Sequence, residues 1–247
     1  MRKLAVLAVV LLLVVVGLLG SGYVATKHVP QFYRDALQVD PGVQQQRSDE
    51  MLERATALRN DLRQDGQWKA IFTAEQINGW LAVDMVENHP DFLPPEVSQP
   101  RVAVDPQRVT LAFRYEEHAL KPVFSVAFDV YLDQPNVVAL RIDRARAGAL
   151  PVPLEQVIEQ VGEMARQMDV KLVWRQTDGD PVALVTIPPH HDGNQHLLTL
   201  DSLKLGEGEI FVSGRTETID PNATPGEHYY YLPPRVSRGL SIETSQR

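Results

Sequence analysis

The chain contains no cysteine, which excludes disulfides, thiolate metal sites, thiol catalysis and a lipidated N-terminal cysteine. It also lacks a surplus of positive charge, with 24 Lys and Arg against 32 Asp and Glu. Only Arg2 and Lys3 precede Lys27, so the rest carries 22 basic and 32 acidic groups, a net charge of −10. Phosphate neutralisation needs clustered Lys and Arg, so no nucleic-acid partner is expected. Gly-x-Ser-x-Gly, His-Glu-x-x-His and the phosphate loop are all missing, and Gly206-x-Gly208 lacks the third glycine of a dinucleotide loop. Fifteen glycines and eighteen prolines without a period exclude a collagen-like rod.

What is present begins with an apolar run. Leu4–Gly20 holds no polar residue, and Lys27 is the first charge after Lys3. The 23 residues from Leu4 to Thr26 would make roughly 34 Å of helix, enough to cross a bilayer core. A cleaved signal peptide is the competing reading, with Gly20-Ser21-Gly22 as its small-residue site, but its apolar core would be unusually long. The expectation is an uncleaved, single-pass transmembrane anchor over residues 1–26. Arg2 and Lys3 favour a cytoplasmic N-terminus, with the bulk of the chain extracytoplasmic. Gly17 and Ser21 form a small-xxx-small pair of the sort that lets anchors pack, although short anchors contain such pairs by chance. Oligomeric state stays open.

Residues 27–67 are expected to form a membrane-proximal connector. Phe32 and Tyr33 fall near the interface, Asp40-Pro41-Gly42 signals a turn, and Ser48 is placed to cap a helix. Met51, Leu52, Ala55, Leu58 and Leu62 then recur at helical spacing up to Gly66. An α+β domain is expected over 68–232, followed by a tail over 233–247. Trp68–Phe72 suggests a strand, and Thr73 with Gln76 makes a capping-box pattern. The helix that follows places Ile77, Trp80, Leu81 and Met85 on one side and ends at Asn88-His89-Pro90. Four prolines between 90 and 100 predict a loop. Period-two alternation over 108–115, 123–132 and 138–143 predicts antiparallel strands with one apolar face. Leu154, Val157, Ile158, Val161, Ala165 and Met168 define an amphipathic helix after Pro153, and shorter strands follow near 170–175, 182–187, 197–203 and 209–217. The fold class expected is a twisted antiparallel sheet with two or three packed helices.

Three segments together resemble the YpmS-like family of bacterial single-span membrane-anchored proteins. These are the N-terminal span, the helix opening FTAEQINGWL at 72–81, and RAGALPVPLEQVIEQV at 146–161. The resemblance covers about residues 68–217 and implies a fold and a location, but no catalytic residues.

Few residues suggest chemistry. His190, His191 and His196 with Asp192 are the densest set of metal-ligand types, but their spacing matches no established site, so no metal is expected. Glu116, Glu117 and His118 read more simply as a solvated hairpin turn than as an acid–base group. Asn222-Ala223-Thr224 matches a glycosylation sequon that carries no weight beside a bacterial-type anchor, and Tyr229–Tyr231 could meet a membrane or cap an edge strand. The candidate ligand-binding residues are Ile77, Trp80, Leu81 and Met85. An apolar stripe at helical spacing usually belongs to a core, and Trp80 is expected there, but the same stripe could line a groove. Asn78 beside it is expected to bond a neighbouring backbone group. No enzyme and no cofactor are expected. The function expected is an envelope protein that shelters a hydrophobic or lipid-like ligand; the alternative is an interaction module that scaffolds an envelope complex.

Overall fold

The computed structural model describes residues 28–116, 121–167, 170–177, 179–188, 190–191 and 196–218. The expected anchor, the Tyr229–Tyr231 cluster, the sequon and the tail lie outside them. Among the described residues no helix is long and apolar enough to cross a membrane.

The chain enters through a short helix, α1 (Gln31–Leu37). Tyr33 is fully buried against Ala112 and Val123, and its hydroxyl donates to the Gln99 carbonyl at 3.0 Å. The long helix α2 then runs Pro41–Asp61, starting eight residues earlier than a cap at Ser48 would allow. Asp40 is the true cap. Its carboxylate accepts from the Gly42 N–H at 2.8 Å, and Pro41 sits where a missing N–H costs nothing. The apparent turn signal is therefore a helix start. Ser48 lies inside α2, 1% exposed, because a small residue is needed where another helix crosses.

That helix is α3 (Ala74–Ala82), which follows strand β1 (Gly66–Thr73). Its start is the expected capping box: Thr73 Oγ1 accepts from the Gln76 N–H at 3.2 Å, and Gln76 Oε1 accepts from the Thr73 N–H at 3.1 Å. Gly79 permits the crossing. A Cβ there would lie 2.6 Å from Arg47 Cβ and 2.7 Å from the Ser48 nitrogen. After Val83 the chain re-forms a single turn, α4 (Asp84–Asn88), and a 3-10 turn, Pro90–Phe92.

The strands are antiparallel, as the alternation requires, but they form two sheets. Seven belong to the first: β2 (Val97–Asp105), β3 (Arg108–Tyr115), β4 (Val123–Gln134), β5 (Val137–Ala147), β8 (Asp180–Thr186) and β7 (Leu172–Thr177) in spatial order, with β6 (Leu150–Pro151) paired to β5. The second sheet has the order β1, β11 (Glu209–Thr218), β10 (His196–Gly206), β9 (His190–His191). Helix α5 (Leu154–Gln167) connects β6 to β7.

β2 occupies part of the region expected to be a loop. Pro100 is tolerated because β2 is an edge strand, and its register shifts between Ser98 and Arg101, with Gln99 at φ 52°. The two sheets are stapled by Asn136, in the β4–β5 turn at φ 62°. Its side chain donates to the Leu198 carbonyl at 2.7 Å and accepts from the Leu200 N–H at 2.6 Å, beside the irregularity in β10. Around that joint Trp68, Leu198 and Leu200 are buried, with Leu58 and Leu62 of α2 and Leu132 and Val138 of the larger sheet packed against them.

Candidate ligand-binding surfaces of the larger sheet

The two faces of the seven-stranded sheet differ in chemistry. On one face β3, β4 and β5 present Leu111, Phe113, Phe124, Val126, Phe128 and Ile142, as register and alternation dictate. Helix α5 packs here. Val126, Ile142 and Ala145 form a buried cluster against which Phe128, Leu154, Val157, Ile158 and Trp174 lie half-buried. The layer is incompletely closed. Leu111, Phe113 and Phe124 are likewise only half-buried, and of the described apolar side chains on α5 only Ala165 is buried. Phe113 stacks on Phe124 at 5.8 Å between centroids, and Tyr115 meets Phe124 edge-on at 5.6 Å.

The α3 stripe lies at the edge of this surface. Asn78 grips the outermost strand: its amide donates to the Val102 carbonyl at 2.9 Å, and its oxygen accepts from the Val102 N–H at 2.7 Å. The side chain thus replaces a neighbouring strand on β2, as expected for an amide that needs partners. Of the four candidate residues, Met85 is buried while Ile77, Trp80 and Leu81 are half-buried. The core expectation for Trp80 gives way to a side chain held near the surface. Its indole N–H donates to Asp84 Oδ2 at 2.7 Å, and the His89 ring is 6.3 Å away. Met85 stands apart from the other three, beyond the break at Val83.

The opposite face is small and charged. Ala112, Val123, Ser125 and Ala127 are buried there, and rows of arginine flank them. Arg175 pairs with Asp133 at 2.7 Å, and Arg141 pairs with Asp129 at 2.5 Å. A bulge in β5 opposite Ala127 and Phe128 turns Asp143 beside Arg144, and Asp143 accepts from both Arg144 at 2.7 Å and Arg108 at 2.8 Å. The hydrogen bond from Arg144 holds the Asp143 carboxyl below its usual range, helped by the charge of Arg108. These four arginines were missed as a group because Arg108 and Arg175 lie far in sequence from Arg141 and Arg144. The available signal was the polar side of RIDRARA, residues 141–147, where every second or third position is arginine.

Of the histidine set, only the His196 side chain lies among those described. His196 Nδ1 is 3.8 Å from Asp65, Asp192 lies outside the described residues, and among the described residues no group of three metal-ligating side chains converges. Glu116 accepts from Ser98 Oγ at 2.9 Å and pairs with Lys121 at the β3–β4 hairpin; Glu117 and His118 lie outside the described residues. Comparison of the chain with family models, with curated proteins and with solved structures found no match in any of the three.

Proposed function

We propose that the protein is a single-pass, membrane-anchored envelope protein that shelters a hydrophobic, lipid-like ligand in the cleft between α5 and the aromatic face of its larger sheet. On this reading it is not an enzyme, and the N-terminus is cytoplasmic. The observation that carries the ligand is the row Leu111–Phe113–Phe124, apolar and only half-buried. In strand order this row lies between β2, whose edge α3 grips, and β5, where α5 packs, so the two helices would form the walls. Ile77 and Leu81 would contribute from the α3 side. A ligand chain laid there would gain about 0.8 kcal/mol per methylene removed from water, so a few carbons suffice for useful affinity. The anchor is supported by the uninterrupted run Leu4–Gly20 and its basic N-terminal flank.

Native mass spectrometry of the protein extracted in mild detergent tests the ligand. An apolar adduct should be retained by the wild type and lost from Phe113→Ser/Phe124→Ser. A protein that carries none, and whose detergent-free cleft takes up no fatty-acid probe, would instead favour the scaffold reading.

A further inference from the structure

The arginine face holds a groove, a cavity of about 270 Å³ at the start of α1. Its walls include His28 and Phe32 from the entering chain, and Arg108, Arg144 and Arg146 from the sheet. Charge is unbalanced here. Arg108 and Arg144 share the carboxylate of Asp143, Asp129 is met by Arg141 at 2.5 Å and by Arg108 at 3.9 Å, and Arg146 is exposed with no ion-pair partner among the described residues. Arg108, Arg141, Arg144 and Arg146 against Asp129 and Asp143 leave two positive charges uncompensated. A chain with a net charge of −8 has concentrated cations in this one concavity, next to the apolar surface of Phe32 and Ala127. Forked guanidinium donors beside a short apolar wall suit a phosphate that bears a hydrocarbon-linked ester.

The position along the chain names the source. His28 follows Thr26, the end of the apolar run, by two residues. Two residues reach at most about 7 Å, so a chain anchored through that run holds this groove at headgroup depth. We infer that the groove binds the phosphate of an anionic phospholipid in the membrane that anchors the protein, seating the domain on the bilayer surface in a fixed orientation. The inference rests on the anchor reading but not on the ligand cleft, which lies on the other face of the sheet.

The test uses the full chain in nanodiscs of equal phosphatidylglycerol and phosphatidylcholine, with lipids retained on release counted by native mass spectrometry. The wild type should retain phosphatidylglycerol in preference by at least about fivefold. Arg146→Gln should cut that preference severalfold, and Arg144→Gln/Arg146→Gln should bring it close to one, since each basic side chain near an anionic surface is worth about 1 kcal/mol, roughly a fivefold change. Lys204→Gln removes one charge from an exposed site on the smaller sheet and should leave the ratio unchanged. Arg146 makes no ion pair among the described residues, so thermal unfolding should be the same in Arg146→Gln. Millimolar inorganic phosphate separates the sources: displacement of the retained lipid would show a site for the free anion and overturn the headgroup assignment. Equal retention of both lipids by an inserted wild type overturns the groove alone. A chain that never enters the nanodisc overturns the anchor and this inference with it.

Discussion

Helices α3 and α5 both flank the seven-stranded sheet, but they are held by different means. α3 is fixed by directional contacts at every turn: a reciprocal capping box at its start, the Asn78 amide on both polar groups of Val102, and Gly79 pressed on the α2 backbone. Among the described residues α5 meets the sheet through apolar contact near Val126 and Ile142, and its side chains there remain half-buried. Hydrogen bonds to backbone and close backbone crossings have one geometry, whereas half-buried aliphatic contacts can be exchanged for other apolar groups at little cost. The difference teaches which helix can yield. α3 belongs to the frame, and α5 is the more weakly held of the two.

The sharpest way to break this contrast is to overfill the α2–α3 crossing. Gly79→Val would drive branched methyl groups into the Arg47 and Ser48 backbone, where a single Cβ already comes within 2.6 Å. The helices must separate, and a loss of about 3 kcal/mol is expected in urea unfolding followed by tryptophan fluorescence. Second comes the strand-edge grip. Asn78→Ala leaves the Val102 N–H and carbonyl unpaired at a partly buried edge and should cost about 2 kcal/mol. Asn78→Asp keeps the acceptor for Val102 N–H but turns the donor into a repelling oxygen. If Asn78→Ala unfolds at the wild-type urea concentration, the grip is not what holds α3.

Much of this architecture was legible in the sequence because it is local. The capping box needs only Thr73 and Gln76, and the strand faces need only alternation, as in Val109, Leu111 and Phe113. The features that escaped depend on distant partners. Ser48 resembles a cap until Gly79, thirty-one residues later, is seen to require a small residue opposite. β2 was hidden because Gln99 and Pro100 interrupt the alternation at a bulge, and such a break in a strand is indistinguishable from a loop without its partner β3. The division into two sheets turns on β1 pairing with β11, nearly the length of the domain apart. Of the candidate site, the sequence marked the α3 side but not the aromatic row on β3 and β4. Those phenylalanines alternate as a core strand would, and nothing in that alternation distinguishes a half-buried row from a sealed one.

A smaller effect sharpens the description of α3. Thr73→Ala removes the oxygen that accepts from Gln76 N–H and should cost about 1 kcal/mol, while Thr73→Ser should cost only a few tenths. Circular dichroism during urea unfolding gives both values. A loss in Thr73→Ala no greater than in Thr73→Ser would mean the hydroxyl bond contributes nothing beyond the extended backbone at residue 73.

The smallest expected change has the opposite sign and compares the two helices most directly. Gly162 lies within α5 as Gly79 lies within α3, but its surroundings are open. Among the described residues a Cβ at Gly162 would meet Trp174 Nε1 at 3.7 Å, an ordinary contact, and no other heavy atom within 4 Å beyond its own helix and chain neighbours. Alanine in a helix interior is favoured over glycine by up to about 1 kcal/mol, since glycine loses more backbone freedom on folding. With no clash to offset that gain, Gly162→Ala should stabilise the domain by about 0.5–1 kcal/mol, and the adjacent Trp174 should report it as a small rise in the urea midpoint. Gly79→Ala, the same change, should destabilise, because the α2 backbone must move before the methyl group fits. Opposite signs for these two glycines would establish that α3 is closely packed and α5 is not. If Gly162→Ala destabilised by as much as Gly79→Ala, α5 would be packed as tightly as α3, and the cleft beneath it would be closed.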